Sequence, residues 1–153
     1  MKQFTKILVA GLALSLASTL GAYAGAKPSG SRSAKAAEIK KIYSGSSWKW
    51  SKGGGYYAKN GKFNAIWETS VGIGTWSVSS SGTLCNSSTW FWDDDGLVKK
   101  KDKNCNKHVV AKDGKIWQRH HKKNDWYPLN LRKISKGNKF GSKFKRLKKK
   151  IGI

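Results

Sequence analysis

Turn signals recur through the middle of this chain at intervals of roughly ten residues: "KGGG", "KNGK", "SSSG", "DDDG" and "KDGK". Glycine after a polar residue suits the positive φ of a tight hairpin, so each signal marks a place where a strand turns back. Between the signals the apolar residues alternate with period two. Trp48 and Trp50 flank Lys49, and Trp90 and Trp92 flank Phe91. Phe63, Ala65 and Trp67 interleave with Lys62, Asn64 and Ile66, and Gly74, Trp76 and Val78 with Thr75, Ser77 and Ser79. In a strand such sets share one face. "KHVVA", "KIWQRH" and "DWYPLN" continue the series. The pattern predicts a mainly β chain, a small antiparallel meander of about seven or eight strands. Closure removes exposed edges, so a closed or nearly closed barrel is expected, with a two-sheet sandwich as the alternative.

Ahead of the meander stands "SAKAAEIKKIY". Ala36, Ile39, Ile42 and Tyr43 fall at helical spacing, Ser33 is a candidate cap and Gly45 a stop, which predicts one short N-terminal helix.

A small β domain buries a modest share of its surface and needs bulky side chains. The chain has eight tryptophans, and the alternation around Lys49 suggests that most of them pack inward. Phe91, Trp92 and Trp126 sit beside turns and are the candidates for exposed aromatics, where rings would form a stacking platform for sugars or bases.

The first 24 residues read as an address. Lys2 and Lys6 precede an apolar run from Ile7 to about Leu20, and Ala22-Tyr23-Ala24 closes it as a small-x-small site. The run is shorter than the roughly 20 residues of a membrane span. Cleavage after Ala24 is expected, leaving a protein of the periplasm or one secreted from the cell. No lipobox cysteine stands near the site. Composition then divides the rest into a flexible leader (25–32), a β-rich domain (33–130) and a cationic tail (131–153). All the tryptophans and all the acidic residues lie in the middle part. The tail holds ten Lys or Arg and no acid.

Two cysteines remain, Cys85 and Cys105. An exported chain with an even count usually pairs them. A redox pair would want closer spacing, and a zinc site more ligands than His108 supplies. No metal set and no cofactor motif is visible, so none is expected.

Catalysis has no evident constellation. Acid–base work needs two titratable groups brought together with their pKa values pushed apart. Asp93, Asp94 and Asp95 precede Gly96 and read as a hairpin turn, as does Asp113 before Gly114. His120 and His121 would point to opposite faces of a strand. No serine stands in a nucleophile elbow. A non-enzymatic protein is expected.

"IYSGSSWKWSKGGGYYAKNGKFNAI", "GIGTWSVSSSGTLC", a second cysteine and "KDGKIWQRHHKKNDWY" together resemble the bacterial domain of unknown function 995 over about residues 37–128. The resemblance implies a small exported protein of the α-proteobacterial kind with a Cys85–Cys105 disulfide, and it implies no reaction. The tail looks like an addition to the shared domain.

The net charge of +23, or +21 without Lys2 and Lys6, draws such a chain to polyanions. In the tail, Phe140, Phe144, Leu147 and Ile151 form one helical stripe, flanked by Lys139, Lys143, Lys145, Arg146, Lys148, Lys149 and Lys150. A basic amphipathic helix reads as a surface-binding segment, largely unfolded in water and folded on an anionic membrane. The expected function is therefore an envelope protein that binds anionic envelope polymers or a membrane surface. A barrel holding a small apolar ligand is the alternative, and a hydrolase inhibitor or small hydrolase a second one. Nucleic acid would bind in vitro for charge reasons alone.

Overall fold

The computed structural model describes residues 25–153. The expected signal peptide, 1–24, lies outside the described residues. In chain order the elements are β1 (Arg32–Ser33), α1 (Ala36–Tyr43), β2 (Ser46–Lys49), β3 (Gly53–Tyr57), β4 (Lys62–Trp67), β5 (Ser70–Val78), β6 (Leu84–Asp93), β7 (Leu97–Val110), β8 (Ile116–His120), β9 (Tyr127–Pro128), a 3-10 turn (Leu131–Lys133), β10 (Ile134–Lys136) and α2 (Gly141–Ile151).

The strands form one antiparallel sheet in the order β10-β2-β3-β4-β5-β6-β7-β8-β9, with β1 on the end of β7. The meander is as expected, but the described residues hold ten strands. The additional ones, β1 and β10, are two and three residues long, too short for a period to show. The sheet curls into a half-barrel. The hairpin signals act as expected at "DDDG", where Asp93 Oδ1 accepts from Gly96 N at 3.1 Å.

α1 plugs one end of the curl. Its Ile39 and Tyr43 are fully buried with Tyr57, Phe63, Trp76, Leu84 and Leu129. Ser33 does not cap this helix. It pairs with Val109 in β1, and Lys35 is the N-cap. Glu38 reaches back to the Lys35 N–H at 2.7 Å and forks with Arg32 at 2.6 and 2.9 Å.

The expected boundary at residue 131 is not a boundary. β10 pairs with β2, placing Ile134 opposite Trp48. Ser47, buried within β2, donates to Gly137 O at 2.8 Å and accepts from Lys139 N at 3.0 Å. This clamp feeds the chain into α2, which lies on the convex face of the sheet. There Phe140, Phe144, Leu147 and Ile151 pack on Ile66, Val71 and Phe91. The stripe was read correctly as a helix face, but protein covers it. Ile66, Val71 and Phe91 project opposite to the cavity-facing residues of their strands, so the convex face had its own apolar patch to bury. Covering it removes apolar area from water at about 25 cal/mol per Å². That gain folds a helix which crowded lysines would leave marginal alone.

Candidate functional site

Residues of one parity face the concave side of the sheet. Trp48 of β2 and Trp50, just past its end, stand beside Phe63 and Trp67 of β4, and β6 adds Trp90 and Trp92. β7 contributes Lys100, Asp102, Asn104 and Asn106 to the same side, and β8 contributes His120. These residues enclose an open cavity of about 750 Å³. Tyr57 and Phe63 belong both to its lining and to the core under α1, so they form its floor.

The interior is thus not filled by indole. Among the eight tryptophans only Trp76 and Trp126 are buried. Trp67 is 38% exposed, and the other rim rings are half-buried. Packing inward was the expectation, and it fails because the strands curl too widely for opposite walls to meet. The rings do direct themselves to the concave side, where Trp48 and Trp50 meet edge to face at 6.4 Å and Trp50 and Trp67 at the same distance. Trp92 stands on the cavity wall, Phe91 lies under α2, and Trp126 is buried beneath the Arg119 guanidinium at 5.5 Å. Only Trp92 of the three exposure candidates offers a ring to the cavity.

Two glycines make room for this arrangement. A Cβ on Gly55 would come within 2.6 Å of the Phe63 ring, and one on Gly72 within 2.9 Å of the Trp90 indole. The aromatic wall rests on those bare backbone positions.

The opposite wall is polar and connected. Asn86 and Asn104 are direct cross-strand partners. His120 Nε2 lies 2.9 Å from Asn104 Oδ1, and the Asn104 amide donates to Asp102. His120 Nδ1 accepts from Lys122 N at 3.3 Å. The ring is therefore the neutral tautomer with its proton on Nε2. Burial lowers its pKa, as do His121, Lys122 and Lys123, while Asp102 pulls the other way. The His120 and His121 rings are neighbours at 4.5 Å, not on opposite faces, because β8 ends at His120 and the chain turns. Behind the floor the Tyr57 hydroxyl is buried out of reach of the cavity, with Asn86 near it but short of full hydrogen-bond geometry. Burial raises its pKa, and Asn86 offsets this in part. Deeper in the molecule Tyr43 Oη and His108 Nε2 are also buried without partners.

Cys85 and Cys105 are opposed across β6 and β7 and form a disulfide. Outside the cavity, alternate residues of β7 turn Lys99, Lys101, Lys103 and Lys107 to the convex side, all exposed. Those lysines were not singled out from the sequence. Their signal was parity: they alternate with Lys100, Asp102, Asn104 and Asn106, which face the cavity. The exposed basic residues of α2 lie on the same side, since that helix sits on the convex face.

No curated protein and no solved structure matches the chain. A family profile described as "Protein of unknown function (DUF995)" matches residues 11–150. That span exceeds the 37–128 of the expected resemblance and takes in β10 and most of α2, so the basic segment is part of the shared unit and not an addition. The chain belongs to the DUF995 family.

Proposed function

We propose that this chain is a binding protein, not a catalyst, and that it holds one small molecule in the concave cavity. One observation carries the reading: an open space of about 750 Å³ faced by five tryptophans on the concave side of the sheet. Small-molecule sites usually occupy about 300–1,000 Å³, with apolar lining and a few convergent polar groups. The test is a tryptophan-emission titration with the neutral dye N-phenyl-1-naphthylamine. Binding should shift emission, and Trp50→Ala should weaken it. A dye that leaves emission unmoved would count against the reading.

A second surface supports a second reading. The convex lysines of β7 and α2 form a basic face that would attract anionic polymers or an anionic membrane. With export expected from the first 24 residues, those partners would be polymers of the cell envelope. The apolar stripe of α2 is occupied by the sheet, so this surface would act through charge, without inserting into a bilayer.

A further inference from the structure

The cavity has two unlike walls. One is made of indole rings. The other is a row of planar polar side chains, Asn86, Asn104 and Asp102, tied through Asn104 to His120. Asn106 lines the same wall, and the buried Tyr57 ring closes the floor. Polar groups left unpaired under an apolar ligand are costly, so this wall calls for a ligand with polar groups of its own.

We infer that the ligand is a saccharide, with a sugar ring laid on the indole wall and its hydroxyls turned to the Asn86–Asn104–Asp102 row. This rests on the cavity being a binding site. A sugar ring has C–H faces that pack on aromatic rings and a rim of hydroxyls that both donate and accept. Amides offer a donor and an acceptor in one plane, and a carboxylate accepts twice, so the row can meet neighbouring hydroxyls in pairs. Asn104 already gives one donor to Asp102 and one acceptor to His120. The remaining capacity of the row is fixed in direction before any ligand arrives. An acyl chain matches the indole wall only. It would seal Asn86 and Asn106 beneath hydrocarbon, leaving them unpaired. Lys100 and Asp102 stand on the same face two residues apart, so their charges oppose, and the lining favours a neutral sugar over a strongly anionic one.

The experiment displaces N-phenyl-1-naphthylamine from the purified protein with cellobiose, chitobiose and maltose, and separately with decanoate. At least one disaccharide is expected to displace the dye. Asp102→Ala should weaken that sugar about tenfold, the loss of one charge-assisted hydrogen bond. Asp102 is half-exposed, so this variant tests the row even where Asn86→Ala fails to fold. Displacement by decanoate alone would overturn the saccharide and leave the cavity standing. A dye that does not bind, with tryptophan emission unmoved by every sugar, would overturn the cavity reading as well. Sugar binding unaffected by Asp102→Ala, Asn86→Ala and Trp50→Ala together would place the sugar elsewhere and also overturn the inference.

Discussion

The ring of Phe140 lies directly on Gly54. A Cβ on that glycine would come to 2.2 Å from Phe140 Cε2 and Cζ and to 2.6 Å from the Trp48 carbonyl oxygen. Gly54 is the middle of three glycines in β3, and it leaves a flat place on the convex face where the first turn of α2 docks. Gly54→Ala should displace the helix, because the ring can move but the Trp48 backbone cannot. A loss of about 2 kcal/mol is expected, in the range of overpacked sites. It should come with faster proteolysis within residues 137–153. A variant with wild-type stability and an uncut C-terminal segment would show that α2 does not depend on this contact.

The clamp at Ser47 offers a gentler version of the same experiment. Its hydroxyl holds Gly137 O and Lys139 N from within the sheet. Ser47→Ala removes both bonds, and because Gly137 and Lys139 are exposed, water can reach the freed groups and a loss of about 1 kcal/mol is expected. Denaturant melts should register that loss, and hydrogen exchange should rise in α2 before it rises in β5 and β6. Uniform destabilisation across the molecule would mean that helix and sheet unfold as one unit.

These contacts explain what could and could not be read in the chain beforehand. The alternation around Lys49 and Phe91 located the strands and their concave parity, because side-chain direction is local. Whether the interior would fill was not legible. That depends on how far ten strands curl, and curl is a property of the whole sheet. The stripe Phe140, Phe144, Leu147 and Ile151 announced a helix face that must be covered. It did not say by what. The partner was visible only as outward-facing Ile66, Val71 and Phe91, scattered over three strands and meaningful once their parity is known. The polar wall was the hardest part. Asn86, Asn104 and Asp102 look like ordinary strand polar residues until the register of β6 and β7 sets them side by side.

The disulfide should be a stability element. Cys85 and Cys105 are 20 residues apart and close the long β6–β7 hairpin. Chain entropy assigns a loop of that size about 3 kcal/mol. The double variant Cys85→Ala, Cys105→Ala should lose up to that amount in urea unfolding, and reduction of the native protein should match it. A loss under about 1 kcal/mol would mean that the unfolded hairpin retains enough pairing to make the bridge redundant.

Acid should weaken the fold in two stages. His108 is buried beside the Tyr43 ring at 5.9 Å, with Nδ1 2.9 Å from Gly82 O and no partner for Nε2. The carbonyl can only accept, so Nδ1 carries the proton of the neutral ring. Burial lowers the pKa below its usual 6.5, against upward pulls from Gly82 and Asn106. His120 is lowered too. A depressed folded pKa means the unfolded chain binds the proton more readily. The stabilisation is therefore full above pH 6.5 and drains as pH falls through the folded values. Glu38, held at about 2 by Arg32 and the Lys35 N–H, drains separately between 4.5 and 2. Urea midpoints should fall between pH 7.5 and 5, and His108→Gln should flatten that fall. Equal midpoints at the two pH values would contradict the buried neutral ring.

The basic convex face can be separated from the apolar stripe by mutating each. Lys145, Arg146, Lys149 and Lys150 are exposed on α2, so replacing all four with Ala should leave the helix docked and the melting temperature near that of the wild type. Near an anionic surface each basic residue contributes about 1 kcal/mol, so four removals should weaken binding to phosphatidylglycerol vesicles by more than about a hundredfold at low salt. Phe144→Ala should do the reverse. Its ring packs on the sheet, so stability should drop by roughly 2 kcal/mol, while binding by the folded fraction persists. Wild-type binding should also fall steeply with salt, as contacts made by exposed charge do. If Phe144→Ala abolished vesicle binding without cost to stability, the helix would have to leave the sheet and insert. The charge-only account of this face would then be wrong.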